Sequence, residues 1–242
     1  LCERPGTGRR AGLVGLHWEE EWVMRTFFIL PSVPWQPLPP EFASDDVRFS
    51  EALVELLLEE FTREGDVVLD PFAGFGTTLV VAERMGRVPV GLELSPRVAT
   101  YARSRLRHPE RLLDGDARRL TSYGLPPFDF SLTSPPFMCR GDKEDPLAAY
   151  AVPGAGYEAY LRGLQDIYRQ VRQLMRPDAR VLLEVADQER DGQVTTLVRD
   201  VADAIGEVLH FEGEIVILEG GTVPGCDDDY DHNYCLVFCR GD

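Results

Sequence analysis

Lysine is almost absent from this sequence. Of its 25 basic residues only Lys143 is not arginine, and 41 acidic residues leave a net charge of −16. Proteins that bind polynucleotides by themselves ordinarily present a basic face, because neutralising phosphates dominates their affinity; tight autonomous DNA binding is therefore not expected here. The charge is unevenly spread. Residues 212–231 hold seven carboxylates and no Lys or Arg, whereas 97–119 hold seven arginines against three carboxylates, which leaves room for a local basic groove. Long apolar runs are also missing. None reaches the roughly 20 residues that cross a bilayer, and the first residues lack the apolar segment of a signal peptide, so no membrane association is expected. The five cysteines, at 2, 139, 226, 235 and 239, are odd in number and lack Cys-x-x-Cys spacing. Neither a disulfide framework nor a zinc site is implied, and the pattern reads as reduced thiols in a cytoplasmic protein.

What is present is ordinary for a globular protein: 242 residues, 44% hydrophobic and 27% charged. One α/β domain with modest additions fits that length. Residues 16–48 are dense in Trp and Pro, including Trp18, Trp22, Trp35, Pro39 and Pro40. Such prolines forbid a long helix, so residues 1–48 are read as an extended arm, set apart from the domain over 49–242. A helical period over 50–62, with Ser50 as N-cap, opens the domain. From there strand and helix alternate. Strands are expected at 66–69, 88–92, 111–113, 128–132, 180–185, 211–218 and 233–239. Helices are expected at 77–85, 96–106, 157–175 and 194–208, with a linker over 138–156. This pattern predicts a doubly wound, mostly parallel, seven-stranded sheet closed by an antiparallel edge hairpin.

The central motif is Asp70-Pro71-Phe72-Ala73-Gly74-Phe75-Gly76-Thr77-Thr78 after the apolar run Val67-Val68-Leu69. It reads as a buried strand ending on a carboxylate, a turn on two glycines and a helix start. Glycines at such a turn admit a ligand to the backbone or serve packing alone, and the motif by itself leaves both open. Two further acids, Glu93 and Asp116, fall at the next strand ends, in the crevice where α/β sheets bind ligands. Glu93, 17 residues beyond Gly76, sits where an acid takes ribose hydroxyls. The third glycine of a pyrophosphate site is missing, which favours a nucleoside without phosphates and disfavours a nicotinamide oxidoreductase. The fourth strand ends on Thr133-Ser134-Pro135-Pro136-Phe137. Consecutive prolines make a rigid turn whose carbonyls face no competing N–H, beside a hydroxyl and an aromatic ring. An exocyclic amine on a planar base matches those groups: it donates to the Ser134 hydroxyl and the Pro135 carbonyl, and the ring stacks on Phe137.

The glycine motif together with Ser134-Pro135-Pro136-Phe137 resembles the S-adenosylmethionine-dependent amino-methyltransferases of DNA, which act on N6 of adenine or N4 of cytosine. The Ser-Pro-Pro-Phe form is similar to the N4-cytosine branch. The resemblance covers roughly residues 42–239 and implies a Rossmann-like class I methyltransferase fold. It implies that Phe49 and Ser50 help hold the methionine end of the cofactor. Asp70, Phe72, Ala73, Gly74, Gly76, Thr77 and Thr78 would surround its methionyl and ribose portions. By the same carry-over Glu93 takes the ribose hydroxyls, Asp116 the adenine amine, and Leu94 and Ala117 pack on the adenine ring. Ser134, Pro135, Pro136 and Phe137 would form the catalytic turn.

Unlike many members, this sequence has its glycine motif before the Pro-Pro motif, and no target-recognition domain is evident. A nucleic-acid substrate is expected, DNA ahead of RNA, with a protein partner for target recognition. Two alternatives remain: an RNA amino-methyltransferase of the guanine N2 type, and a non-catalytic S-adenosylmethionine-binding subunit. Cys139 is read as incidental, and the acidic loop 226–233 as a solvated hairpin loop rather than a metal site.

Overall fold

The computed structural model describes residues 25–30, 38–45, 48–219 and 232–241. The expected features at Trp18, Trp22 and Trp35, and most of the acidic loop 226–233, lie outside them. The described chain runs β1 (Phe27–Leu30), α1 (Glu51–Phe61), β2 (Val67–Asp70), α2 (Thr77–Arg84), β3 (Val88–Glu93), α3 (Pro96–Ser104) and β4 (Leu112–Asp114). It continues with β5 (Phe128–Thr133), α4 (Tyr157–Leu174), β6 (Met175–Val185), β7 (Gln188–Arg190), β8 (Gln193–Thr195), α5 (Leu197–Gly206), β9 (His210–Glu219) and β10 (His232–Cys239).

Eight strands form one sheet in the order β1-β9-β10-β6-β5-β2-β3-β4. The pairings among β6, β5, β2, β3 and β4 are all parallel, and β10 runs antiparallel to both β6 and β9. The doubly wound, mostly parallel sheet with an antiparallel hairpin is as the alternation predicts. Its strands are apolar on both faces, and successive residues serve opposite layers. Leu69, Leu183 and Phe238 face a core built with α4 and α5, whereas Val68, Leu182 and Val237 face a core built with α1 and α2. Burial on both faces is what a parallel sheet between helices requires.

Two features depart from the expected element list. The Pro-rich arm contributes an eighth strand: β1 pairs in parallel with β9, so the β9–β10 hairpin is not at the sheet's edge. Phe28 and Leu30 are buried in the α1–α2 core while Phe27 and Ile29 point outward. A four-residue strand next to prolines carries too short a period to register in sequence. The second feature is a small hairpin, β7–β8, where the helix 194–208 was expected to begin. Asp191 and Gly192 have φ of 54° and 73°, the two left-handed residues of a type I′ turn.

Helix starts follow from local chemistry. The Leu53 amide donates to Ser50 Oγ at 3.2 Å at the start of α1. Ser95 caps α3, with Pro96 in its first turn. Helix α2 starts directly behind Gly76, whose φ of 81° lets the chain turn from strand to helix without a linker.

Candidate functional site

The C-terminal ends of β2, β3, β4, β5 and β6 open onto one cleft of about 670 Å³. That volume suits a small organic ligand. From β2 the chain winds outward through β3 to β4, then returns to the other side of β2 as β5. The cleft therefore sits at the reversal of strand order, where neighbouring loops diverge and leave a crevice.

One half is built from the loops after β2, β3 and β4. Pro71, Phe72, Gly74 and Phe75 line it from the first loop, Glu93, Leu94, Ser95 and Val98 from the second, Gly115 and Ala117 from the third. Glu93 organises this half. Its Oε2 accepts the Gly74 amide at 2.9 Å and its Oε1 accepts the Ser95 amide at 2.7 Å. Burial pushes the Glu93 carboxyl above the usual carboxylate range, and these backbone hydrogen bonds pull it back. Each oxygen keeps lone-pair capacity for a ligand hydroxyl. Gly74 has φ +50° and open space beside it, since a Cβ there would meet nothing nearer than the Phe72 carbonyl oxygen at 3.9 Å.

Several residues of the expected donor set stand behind this wall rather than in it. Gly76 is one: its missing Cβ would lie 3.2 Å from the Ala102 Cβ, so it lets α3 approach and does not admit a ligand. Ala73, Thr77 and Thr78 are buried, with the Ala73 amide on the Leu92 carbonyl at 2.8 Å and the Thr78 hydroxyl toward the Leu132 carbonyl. Ser50 spends its hydroxyl on the α1 cap, and Phe49 packs on the α1–α2 core. Asp70 is 2% exposed beneath the loop and accepts the Phe72 amide at 3.1 Å. Burial pushes its carboxyl up to about 6, with the hydrogen bond from the Phe72 amide pulling against it. The result is a carboxylate in low dielectric under the loop, whose charge the fold disfavours and a cationic ligand above it would favour.

Asp116 is also engaged within the chain. The Arg118 guanidinium makes three bonds to its two oxygens, at 2.8–3.0 Å, and the Arg118 amide adds a fourth. Burial raises the Asp116 carboxyl, but the Arg118 bonds more than offset this and hold it below the usual range. The flanking Gly115 and Ala117 reach the cleft instead.

The other half begins at the turn after β5. Ser134, Pro135, Pro136 and Phe137 all line the cleft. Three contributions here were not anticipated. Glu184 lines the cleft from the end of β6, where it is 8% exposed. Thr133 pairs with Leu183, which sets Ser134, the first residue beyond β5, alongside Glu184 on the neighbouring strand β6. Its sequence signal existed, since an acid closes the apolar run Val181-Leu182-Leu183 much as Asp70 closes its own. Pro146, Leu147, Ala149 and Tyr150 come from the segment read as a linker, with no periodicity to announce them. Val185, Ala186, Gln188 and Leu197 complete the wall. Cys139 is 2% exposed and burial pushes its thiol up, the setting of an unreactive cysteine.

This geometry can be set beside known proteins. Residues 39–104 match the N6_N4_Mtase family model, described as DNA methylase. Over 56 residues the chain is 46% identical to the Type II methyltransferase M2.DpnII of Streptococcus pneumoniae, an alignment covering 23% of this chain and 21% of that enzyme. Over 65 residues it is 45% identical to the Type II methyltransferase M.BamHI of Bacillus amyloliquefaciens, covering 25% and 15%. The matches thus span about a fifth or less of these relatives' own lengths. Among solved structures, TrmN from Thermus thermophilus superposes with a TM-score of 0.56 at 23% identity, covering 79% of this chain and 49% of that one. A TehB-like SAM-dependent methyltransferase from Corynebacterium glutamicum gives 0.53 at 16% identity, covering 82% and 92%. These likenesses are of fold, and the fold is that of class I methyltransferases. The resemblance to the N4/N6 amino-methyltransferases of DNA is borne out over residues 39–104, the stretch that holds the glycine loop and Glu93. The Ser-Pro-Pro-Phe turn lies beyond it.

Proposed function

We propose that this chain transfers the methyl group of S-adenosylmethionine to an exocyclic amine of a nucleic-acid base, N4 of cytosine in DNA first and N6 of adenine next. One observation carries the reading: the glycine loop with Glu93 and the Ser134-Pro135-Pro136-Phe137 turn line the same cleft. Donor-side and acceptor-side chemistry thereby meet in one volume. The family model matched over residues 39–104, described as DNA methylase, supports DNA over RNA.

The residues present suit this cofactor. Glu93 would hold the ribose hydroxyls, the open backbone at Gly74 would let the chain lie close, and buried Asp70 would favour the cationic end. Leu94 and Ala117 offer apolar faces for the adenine, and Asp116 would reach its amine on exchanging part of its bond to Arg118. When bound, the cofactor supplies an electrophilic methyl carbon on a sulfonium.

The remaining work falls to the acceptor half. An aromatic amine is a poor nucleophile because its lone pair is delocalised into the ring. The Ser134 hydroxyl and Pro135 carbonyl accept its hydrogens and favour a more tetrahedral nitrogen, while Phe137 stacks on the ring. Glu184, beside Ser134, takes the proton the amine loses. Catalysis then depends mainly on orientation. In a duplex the base must first leave the stack, and stacking on Phe137 offsets part of the few kcal/mol that costs. A chain of net charge −16 has little general attraction for phosphate, which supports a protein partner for target recognition. No described helix is long and apolar enough to cross a membrane.

The test is methylation of mixed DNA and RNA with labelled cofactor, followed by nucleoside mass analysis. N4-methylcytosine in the DNA is the expected product. Methylated guanine in RNA would redirect the reading to RNA. Cofactor binding with no label in either polymer would sink it.

A further inference from the structure

The segment between the Ser-Pro-Pro-Phe turn and α4 is folded on itself. The Asp145 amide donates to the Val152 carbonyl at 2.9 Å, the Gly154 amide to the Lys143 carbonyl at 2.7 Å, and the Tyr150 amide back to the Asp145 carbonyl at 2.9 Å. Inside it, Asp145 caps a single 3-10 turn, Pro146–Ala148, by accepting the Leu147 amide. The next two residues are unusual. Ala149 and Tyr150 have φ of 53° and 58°, and with Asp191 they are the non-glycine residues of positive φ among the described residues. Asp191 sits in a hairpin turn of a type that demands it. Ala149 is the left-handed C-cap of the 3-10 turn, but Tyr150 carries the left-handed conformation one residue further, which is uncommon for an aromatic residue. Strain of this kind persists where the surrounding structure holds a side chain for a purpose, and it gathers at functional sites.

Here it carries Tyr150 into the acceptor end of the cleft. The Tyr150 hydroxyl donates to the Phe137 carbonyl at 3.0 Å, and the residue lines the cleft while remaining 44% exposed. One end of the ring is anchored to the catalytic turn, and nearly half of the residue's surface stays accessible. Leu147 and Pro146 beside it are apolar, so this wall offers shape and stacking rather than hydrogen-bond readout.

We propose that Tyr150 is a second aromatic wall for the acceptor: it stacks a planar nucleobase delivered to the Ser-Pro-Pro-Phe turn and, through the Phe137 carbonyl, fixes that turn's position. The proposal rests on the methyl-transfer reading above and adds the residue that selects and orients the base. Stacking tolerates any base, because every base has a π-face, so discrimination between bases stays with Ser134 and Pro135.

Tyr150→Gly removes the ring at a position whose backbone suits glycine, so the variant keeps its loop; Tyr150→Phe keeps the ring and removes the bond to Phe137. Three readouts separate the roles: cofactor Kd, transfer kinetics, and equilibrium binding of single-stranded oligonucleotides carrying 2-aminopurine, whose fluorescence is quenched on stacking. Expected for Tyr150→Gly is a rise of about tenfold or more in nucleic-acid KM, loss of the quench and an unchanged cofactor Kd. Tyr150→Phe should retain the quench and a KM within about threefold of wild type, with its loss in kcat. The proposal is overturned if Tyr150→Gly leaves KM and quench intact, if cofactor Kd worsens in parallel, or if Tyr150→Phe is as impaired as the glycine variant. The quench is visible without turnover. Quenching by the wild type without methyl transfer would therefore count against the transfer reading and leave Tyr150 as a base-stacking residue.

Discussion

Glu93 Oε2 accepts the backbone amide of Gly74 at 2.9 Å, tying the end of β3 to the loop that follows β2. One side chain thus shapes the loop and faces the cleft with it. Glu93→Gln keeps the size but presents an NH₂ to one of two amides that both need an acceptor. Cofactor affinity should fall by about tenfold or more, equivalent to about 1.4 kcal/mol or more, the scale of losing a hydrogen bond to a charged group. Isothermal titration of wild type and variant measures it; equal affinity would remove Glu93 from the binding site.

The two glycines of the loop should separate in their effects. Gly76 has φ +81° and faces Ala102 at 3.2 Å, so Gly76→Ala adds left-handed strain and a contact the helix must yield to. A loss of about 2–4 kcal/mol in denaturant unfolding is expected. Gly74→Ala has φ +50° but open space, so about 1 kcal/mol is expected in stability, with the larger effect on cofactor affinity. Identical profiles for the two variants would contradict this division of labour.

Asp70 should give cofactor binding a pH dependence. Burial lifts its carboxyl to about 6, and a cationic ligand favours the ionised form, so affinity should rise with pH through about 6. The stability effect has the opposite sign. Between the usual carboxylate value and about 6 the folded protein holds a proton that the unfolded chain has released, so stability falls as pH rises through that window, by roughly 2–3 kcal/mol. Both slopes should flatten in Asp70→Asn, which binding titrations and urea melts across pH 4–7 would register.

On the acceptor side, Ser134→Ala and Glu184→Gln should leave cofactor Kd within about twofold while methyl transfer falls by about 10²–10⁴. Single-turnover kinetics with saturating cofactor is the measurement. Unimpaired transfer in Ser134→Ala would refute the acceptor role of the turn, and in Glu184→Gln the assignment of the proton.

The sequence alone determined the doubly wound sheet and the end of it that matters. Alternating apolar runs and helical periods are local patterns, and strands such as Val67–Asp70 and Val88–Glu93 close on the acids that mark their carboxyl ends. Ser50 as an N-cap and Ser134-Pro135-Pro136-Phe137 as a strand-end turn were legible for the same reason: their chemistry acts within a few residues. The strand Phe27–Leu30 and the hairpin at Asp191-Gly192 were not read, the first because its partner β9 lies far along the chain, the second despite a turn dipeptide that stood in the sequence. Only the tertiary structure decided which of Gly74 and Gly76 faces the cleft, because that depends on Ala102 in a different helix. It alone set Arg118 on Asp116, brought Glu184 beside Ser134, and anchored Tyr150 to Phe137 from a loop without periodicity. Residues that build a wall from opposite ends of a chain share a volume, not a spacing, and no local pattern encodes a shared volume.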